Sequence, residues 1–115
     1  MARLARVVIP GVPHHVTQRG NRRALVFFAD HERQRYLALV QHYCRRYGLQ
    51  VLAYCLMDNH VHWVVVPDTE PALGQTIRDA HTAYAASFNV AHGAQGHVFQ
   101  VSAASQNRPP SATSK

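Results

Sequence analysis

His60 and His62 stand on either side of Val61 in YCLMDNHVHWVVVP, residues 54–67, a run that is otherwise mostly apolar. Imidazole is a proton carrier near neutral pH and the commonest metal ligand among side chains. Alternate residues of a strand share a face, so the two rings point the same way. Two nitrogen donors at that separation can chelate one divalent ion. Nitrogen alone favours zinc or another transition metal, whereas added carboxylate, amide or water ligands admit Mg²⁺ or Mn²⁺. The competing reading is a hydrogen-bonded pair of core histidines, and nine histidines in 115 residues make a chance His-x-His pair expected. Two ligands are half a site. Asp58 and Asn59 are near, but they belong to a turn, and the sequence offers no obvious third ligand.

Charge supplies a second chemistry. The net charge is +6, and eleven of the twelve basic residues are arginine. Residues 1–50 carry nine of them against Asp30 and Glu32, an excess of seven, while the remainder is close to neutral. Guanidinium forks match phosphate oxygens bidentately, so an uncompensated arginine-rich half points to nucleic acid. A solvated basic surface is the alternative. No apolar run approaches the ~20 residues of a membrane span. The basic N-terminus is interrupted by Pro10 and Pro13 and does not read as a signal peptide. Cys44 and Cys55 both sit in apolar sequence without CxxC spacing, which predicts buried, reduced thiols in a cytoplasmic protein.

The elements that must position these groups follow from periodicity. HHVTQR, 14–19, alternates as a strand with Val16 on one face and His15, Thr17 and Arg19 on the other, and Gly20-Asn21 turns the chain. From Asp30, an expected N-cap, Tyr36, Leu37, Val40, Tyr43, Cys44 and Tyr47 form a helical stripe that Gly48 closes. Residues 49–57 predict a strand, Asp58-Asn59 a hairpin connection, and 60–66 the returning strand. Pro71 opens a second helix with Leu73, Ile77, Ala80, Tyr84 and Phe88 on its apolar stripe, and HVFQ, 97–100, predicts a last strand. Strand, helix, strand, strand, helix, strand is the split βαβ order of an α+β, ferredoxin-like fold with helices packed on an antiparallel sheet. Residues 1–100 make one domain of this kind. The Ser/Ala/Pro-rich stretch 101–115 reads as a disordered tail.

Three segments together, VVIPGVPHHVTQRGNRRALVFF, YCLMDNHVHWVVVP and FNVAHGAQGHVFQ, resemble the HUH-type single-tyrosine transposases, in particular the REP-associated and insertion-sequence branches. The resemblance implies that His60 and His62 bind Mg²⁺ or Mn²⁺. It implies cleavage and rejoining of single-stranded DNA at hairpin-bearing element ends through a phosphotyrosine intermediate. It also places His15, Arg19, Asn21, Arg22 and Arg23 close to DNA. The family's nucleophile lies on a helix after the GHxFQ strand, and there the likeness stops at Gln100. No tyrosine follows Tyr84, which itself sits on a core stripe in a different helix. The sequence therefore predicts a truncated relative without a catalytic residue, inactive alone. The alternatives are a non-enzymatic binder of single-stranded or hairpin DNA, acting as a homodimer or beside a full-length relative, and a regulatory module whose histidines are structural.

Overall fold

The computed structural model describes residues 7–100; the expected tail at 101–115 lies outside the described residues. The elements run β1 (His14–Arg19), α1 (Asp30–Tyr47), β2 (Leu49–Leu56), β3 (His60–Pro67) and α2 (Ala72–His92). The three strands form an antiparallel sheet in the order β1-β3-β2, so β3 is central and β1 and β2 are separated in space, as a split βαβ unit requires. Both helices cover one face. Along β3, Val61, Trp63 and Val65 are buried beneath them, while His60, His62, Val64 and Val66 are only half-buried on the other face. β1 alternates in step, with His14, Val16 and Gln18 buried and His15, Thr17 and Arg19 turned outward.

The core is aromatic at its centre. Tyr36 of α1 meets Phe27 edge-on at 5.4 Å, Tyr84 of α2 at 5.4 Å and Trp63 of β3 at 6.2 Å between ring centroids. Each large aromatic removed from water stabilises by roughly 1.5–3 kcal/mol, and edge-to-face pairing adds about 0.5–1.5 kcal/mol. The apolar stripes of both helices therefore explain why this layer closes on the sheet. α1 ends at Gly48, whose φ of +82° suits glycine, and an added Cβ would come within 2.9 Å of Asp68 Oδ2. At its other end the cap is not Asp30. Ala29 holds that position and makes no side-chain cap bond, while Glu32 reaches back to accept the Phe28 N–H at 2.6 Å. A carboxylate one turn in therefore replaces the expected cap.

Two further expectations are corrected. Residues 97–100 do not form a strand but a single bridge, Gly20 to Phe99, with Asn21 N–H donating to Val98 O and Gln100 N–H to Arg19 O, both at 2.8 Å. The bridge lies on the outer side of β1, the position that a fourth strand of a ferredoxin-like sheet would take. Cys55 is exposed rather than buried. The cause is a β-bulge: Val51 opposes Val65, but Ala53 opposes Val64, leaving Leu52 as the extra residue. The shift inverts the inside-outside phase of the rest of β2 and sets Cys55 beside His62 on the uncovered face. Cys44 is buried as expected.

Candidate nucleic-acid and cation site

Cross-strand register brings the chemistry-bearing residues together on the uncovered face. Arg19 opposes His60, and Thr17 opposes His62 across the β1–β3 ladder. His60 and His62 stand edge to face with ring centroids 4.8 Å apart. His15 stacks on His62 at 5.4 Å with the planes inclined by only 20°. Arg19 is exposed at the end of β1, and the tight turn Asn21–Arg23 carries Arg22 and Arg23 into solvent immediately beyond it. Asn21 is partly committed already, since its side chain donates to His97 O at 3.4 Å and its N–H to Val98 O.

The turn after β1 is shaped by close packing. A Cβ on Gly20 would lie 2.1 Å from Ala24 O, so only glycine fits. Arg22 and Arg23 both hold positive φ, 56° and 62°, a region costly for ordinary side chains and frequently found at functional sites. The loop also grips the β2–β3 connection. Gly20 N–H donates to Asn59 O at 2.8 Å, and the N–H groups of Val26 and Phe27 donate to Asp58 O at 2.8 and 3.2 Å. Arg33 pairs with the Asp58 carboxylate.

Both histidines are poised as neutral donors. Partial burial lowers the basicity of His60, and the Arg19 charge adds to it; for His62 burial is again the leading cause, followed by His60, His15 and Arg19. Each Nδ1 is engaged: His60 with Asn59 Oδ1 at 2.8 Å, His62 with Thr17 Oγ1 at 3.0 Å. Among the described residues, no three His, Cys, Asp or Glu side chains form a group able to hold a metal. The two imidazoles fit a divalent ion only as a partial coordination sphere, completed by water or by ligand oxygen.

No tyrosine faces this surface. All five tyrosines of the chain lie within the described residues. Tyr84 is 1 % exposed, and its hydroxyl donates to Val26 O at 2.6 Å; burial raises its pKa far above the ordinary phenol range. Tyr36 is buried and shares a hydrogen bond with His81 Nε2 at 2.7 Å. Tyr43 and Tyr47 belong to α1, and Tyr47 bonds to Asp79 of α2. Tyr54 opposes Trp63 on the helix side of the sheet and lines a groove of about 440 Å³ with Leu37, Val40 and Cys44. That groove is on the wrong side of the sheet for the histidines. Their face of the sheet carries no helix and ends beside the exposed Arg19, Arg22 and Arg23, a grouping of rings and guanidinium charges suited to a polyanion.

Sequence reasoning set Asn59 aside as a turn residue and placed Thr17 on the outward face of β1 without a role, whereas both bond to the histidine pair. Both carried a signal: Thr17 shares the outward alternation of His15 and Arg19, and Asn59 directly precedes the histidine pair.

The chain belongs to the family described as transposase IS200 like, whose model matches residues 10–103. Among solved structures it is similar to a REP-associated tyrosine transposase bound to a REP hairpin, at 17 % identity and a TM-score of 0.68, over 95 % of this chain and 62 % of that one. It is also similar to a protein of Deinococcus radiodurans R1 assigned provisionally to the transposases, at 14 % identity and a TM-score of 0.58, over 80 % and 70 % of the two chains. The chain thus spans less than two thirds of the first of these. No curated protein matches by sequence. Among the described residues no helix is long and apolar enough to cross a membrane.

Proposed function

We propose that the uncovered sheet face binds hairpin-bearing single-stranded DNA, with Arg19, Arg22 and Arg23 on the phosphates and a divalent cation, Mn²⁺ or Mg²⁺, held by His60 and His62. Family membership and the hairpin-bound structural relative support the DNA class. The observation that carries the reading is the register that sets Arg19 opposite His60, so that a phosphate held by the guanidinium lies next to the histidine pair. His15, stacked on His62, presents a ring edge to the same strand of DNA. Asn21 ties the basic turn to the 97–98 backbone and stands exposed beside Arg22 and Arg23, where it would meet the same DNA.

When bound, the cation would neutralise charge on phosphate oxygens and so favour nucleophilic attack at phosphorus. Neutral imidazoles are the form that donates to it, and partial burial, reinforced by the Arg19 charge, disfavours their protonation. The residues present do not supply the nucleophile of a phosphotyrosine pathway, because every tyrosine lies beneath the sheet, on a helix or in the groove. This chain alone therefore holds DNA and cation without forming a covalent adduct.

Mn²⁺ titration separates this reading from structural histidines. Wild type should bind weakly, Mn²⁺ ahead of Mg²⁺ because the protein donors are nitrogen, and His60→Ala/His62→Ala should lose binding. Equal binding by both proteins would count against the site. Incubation of labelled hairpin-tailed DNA with Mn²⁺, followed by denaturing electrophoresis, should leave no label on the protein. A labelled band that Tyr84→Phe abolishes would overturn the assignment of the tyrosines.

A further inference from the structure

A neutral imidazole carries its proton on one nitrogen and its lone pair on the other, and the hydrogen bond made by the first decides which nitrogen is left for a metal. Asn59 Oδ1 can only accept, so His60 must donate from Nδ1, leaving its lone pair on Nε2. Thr17 Oγ1 lies 3.0 Å from His62 Nδ1, a contact that a hydroxyl can make as acceptor or as donor. With Thr17 as acceptor the two rings receive the same treatment from two different elements, one from the β2–β3 turn and one from the edge strand β1.

We propose that Asn59 and Thr17 are the positioning residues of the cation site, holding His60 and His62 in the Nδ1–H form with both Nε2 atoms free to ligate. The inference rests on the reading that these histidines take a divalent cation, and adds what aims them. Without an anchor, an imidazole rotates about its last torsion, which is broad and two-fold, exchanging nitrogen for carbon at the ligating position. It also prefers the opposite tautomer in water, with the proton on Nε2. A two-histidine site with no third protein ligand has no redundancy to absorb either loss. Both anchors are themselves fixed. Asn59 sits on the connection clamped through Asp58 O and Asn59 O by Gly20, Val26 and Phe27, and Thr17 is locked into the ladder opposite His62.

The test uses the full chain, with Mn²⁺ as the probe. Thr17→Val keeps shape and strand preference but removes the oxygen, and Thr17→Ser restores it. Asn59→Ala removes the other acceptor. Loss of such a partner typically lowers metal affinity about 10–100-fold, and each variant should fall in that range while Thr17→Ser stays near wild type. A merely structural role would not move the second readout, long-range ¹H–¹⁵N spectra of metal-free protein. These should show Nδ1–H for both rings in wild type and a change to Nε2–H at His62 in Thr17→Val and at His60 in Asn59→Ala. Wild-type affinity in both variants while His60→Ala/His62→Ala no longer binds, or Nε2–H rings in the wild type, would overturn the positioning role alone. Undiminished Mn²⁺ binding in the double histidine variant would overturn the cation reading beneath it.

Discussion

His81 and the pair His60–His62 show how one side chain takes different work from its surroundings. His81 is buried, bonded to Tyr36 and stacked on Phe99 at 4.0 Å, and burial pulls its pKa from 6.5 down to about 3. Its neutral form belongs to the folded state, while the unfolded chain takes up a proton below about pH 6.5. The contribution to stability is thus complete above pH 6.5 and is lost as pH falls towards 3, at roughly 1.4 kcal/mol per pH unit. Between pH 6.5 and 5 this amounts to about 2 kcal/mol. Urea unfolding of wild type should weaken by that order over this interval, and His81→Gln, which keeps a polar partner for Tyr36, should flatten the dependence. Equal slopes would place the acid sensitivity elsewhere. Sequence reasoning left this histidine off the apolar stripe of α2, although it stands four residues after Ile77 and three before Tyr84. A polar side chain at that spacing is buried only where packing, here against Tyr36 and Phe99, accepts it. Tyr84 was legible for the opposite reason, since its spacing with Leu73, Ile77 and Ala80 already put it in the core.

At the scale of elements, the bulge in β2 decides more than its one residue suggests. Periodicity from Val51 onwards would put Cys55 on the covered face, and no sequence signal marks Leu52 as the extra residue. Backbone register, set by pairing with β3, overrides the alternation. Native alkylation should therefore modify Cys55 and spare Cys44, whose thiol burial pushes up to about 11. Peptide mapping that finds both thiols modified at equal rates would contradict this placement. The loop after β1 gives a second case. Gly20→Ala would drive a methyl against Ala24 O and should cost about 1–3 kcal/mol, because the obstacle is backbone and the same loop clamps Asp58 and Asn59. Its denaturant midpoint should drop, and an unchanged midpoint would mean that the loop moves freely. Turn composition revealed the loop itself. Its left-handed arginines and its grip on the hairpin were not legible, because both depend on contacts far away in sequence.

Across the whole molecule, the two faces of the sheet divide the labour. Helices, aromatic core and the apolar groove lie on one side; His15, Arg19, His60, His62 and the turn with Arg22 and Arg23 lie on or beside the other. The helix–strand order, the central strand and the outward alternation of β1 could all be read from periodicity, because burial of one face writes itself into the sequence. The last strand could not, since HVFQ pairs only through Phe99 and its neighbours. The arginine excess of residues 1–50 does not distinguish platform from helix surface, and only register selects Arg19 as the one beside the histidines. The most direct measurement is binding of fluorescent hairpin-tailed single-stranded DNA as a function of salt, with and without Mn²⁺. Wild type should bind more tightly with Mn²⁺, His60→Ala/His62→Ala should lose that gain, and replacing Arg19, Arg22 and Arg23 by alanine should weaken binding and flatten its salt slope. An unchanged slope in the arginine variant, together with a Mn²⁺ effect that survives loss of both histidines, would show that DNA binds elsewhere.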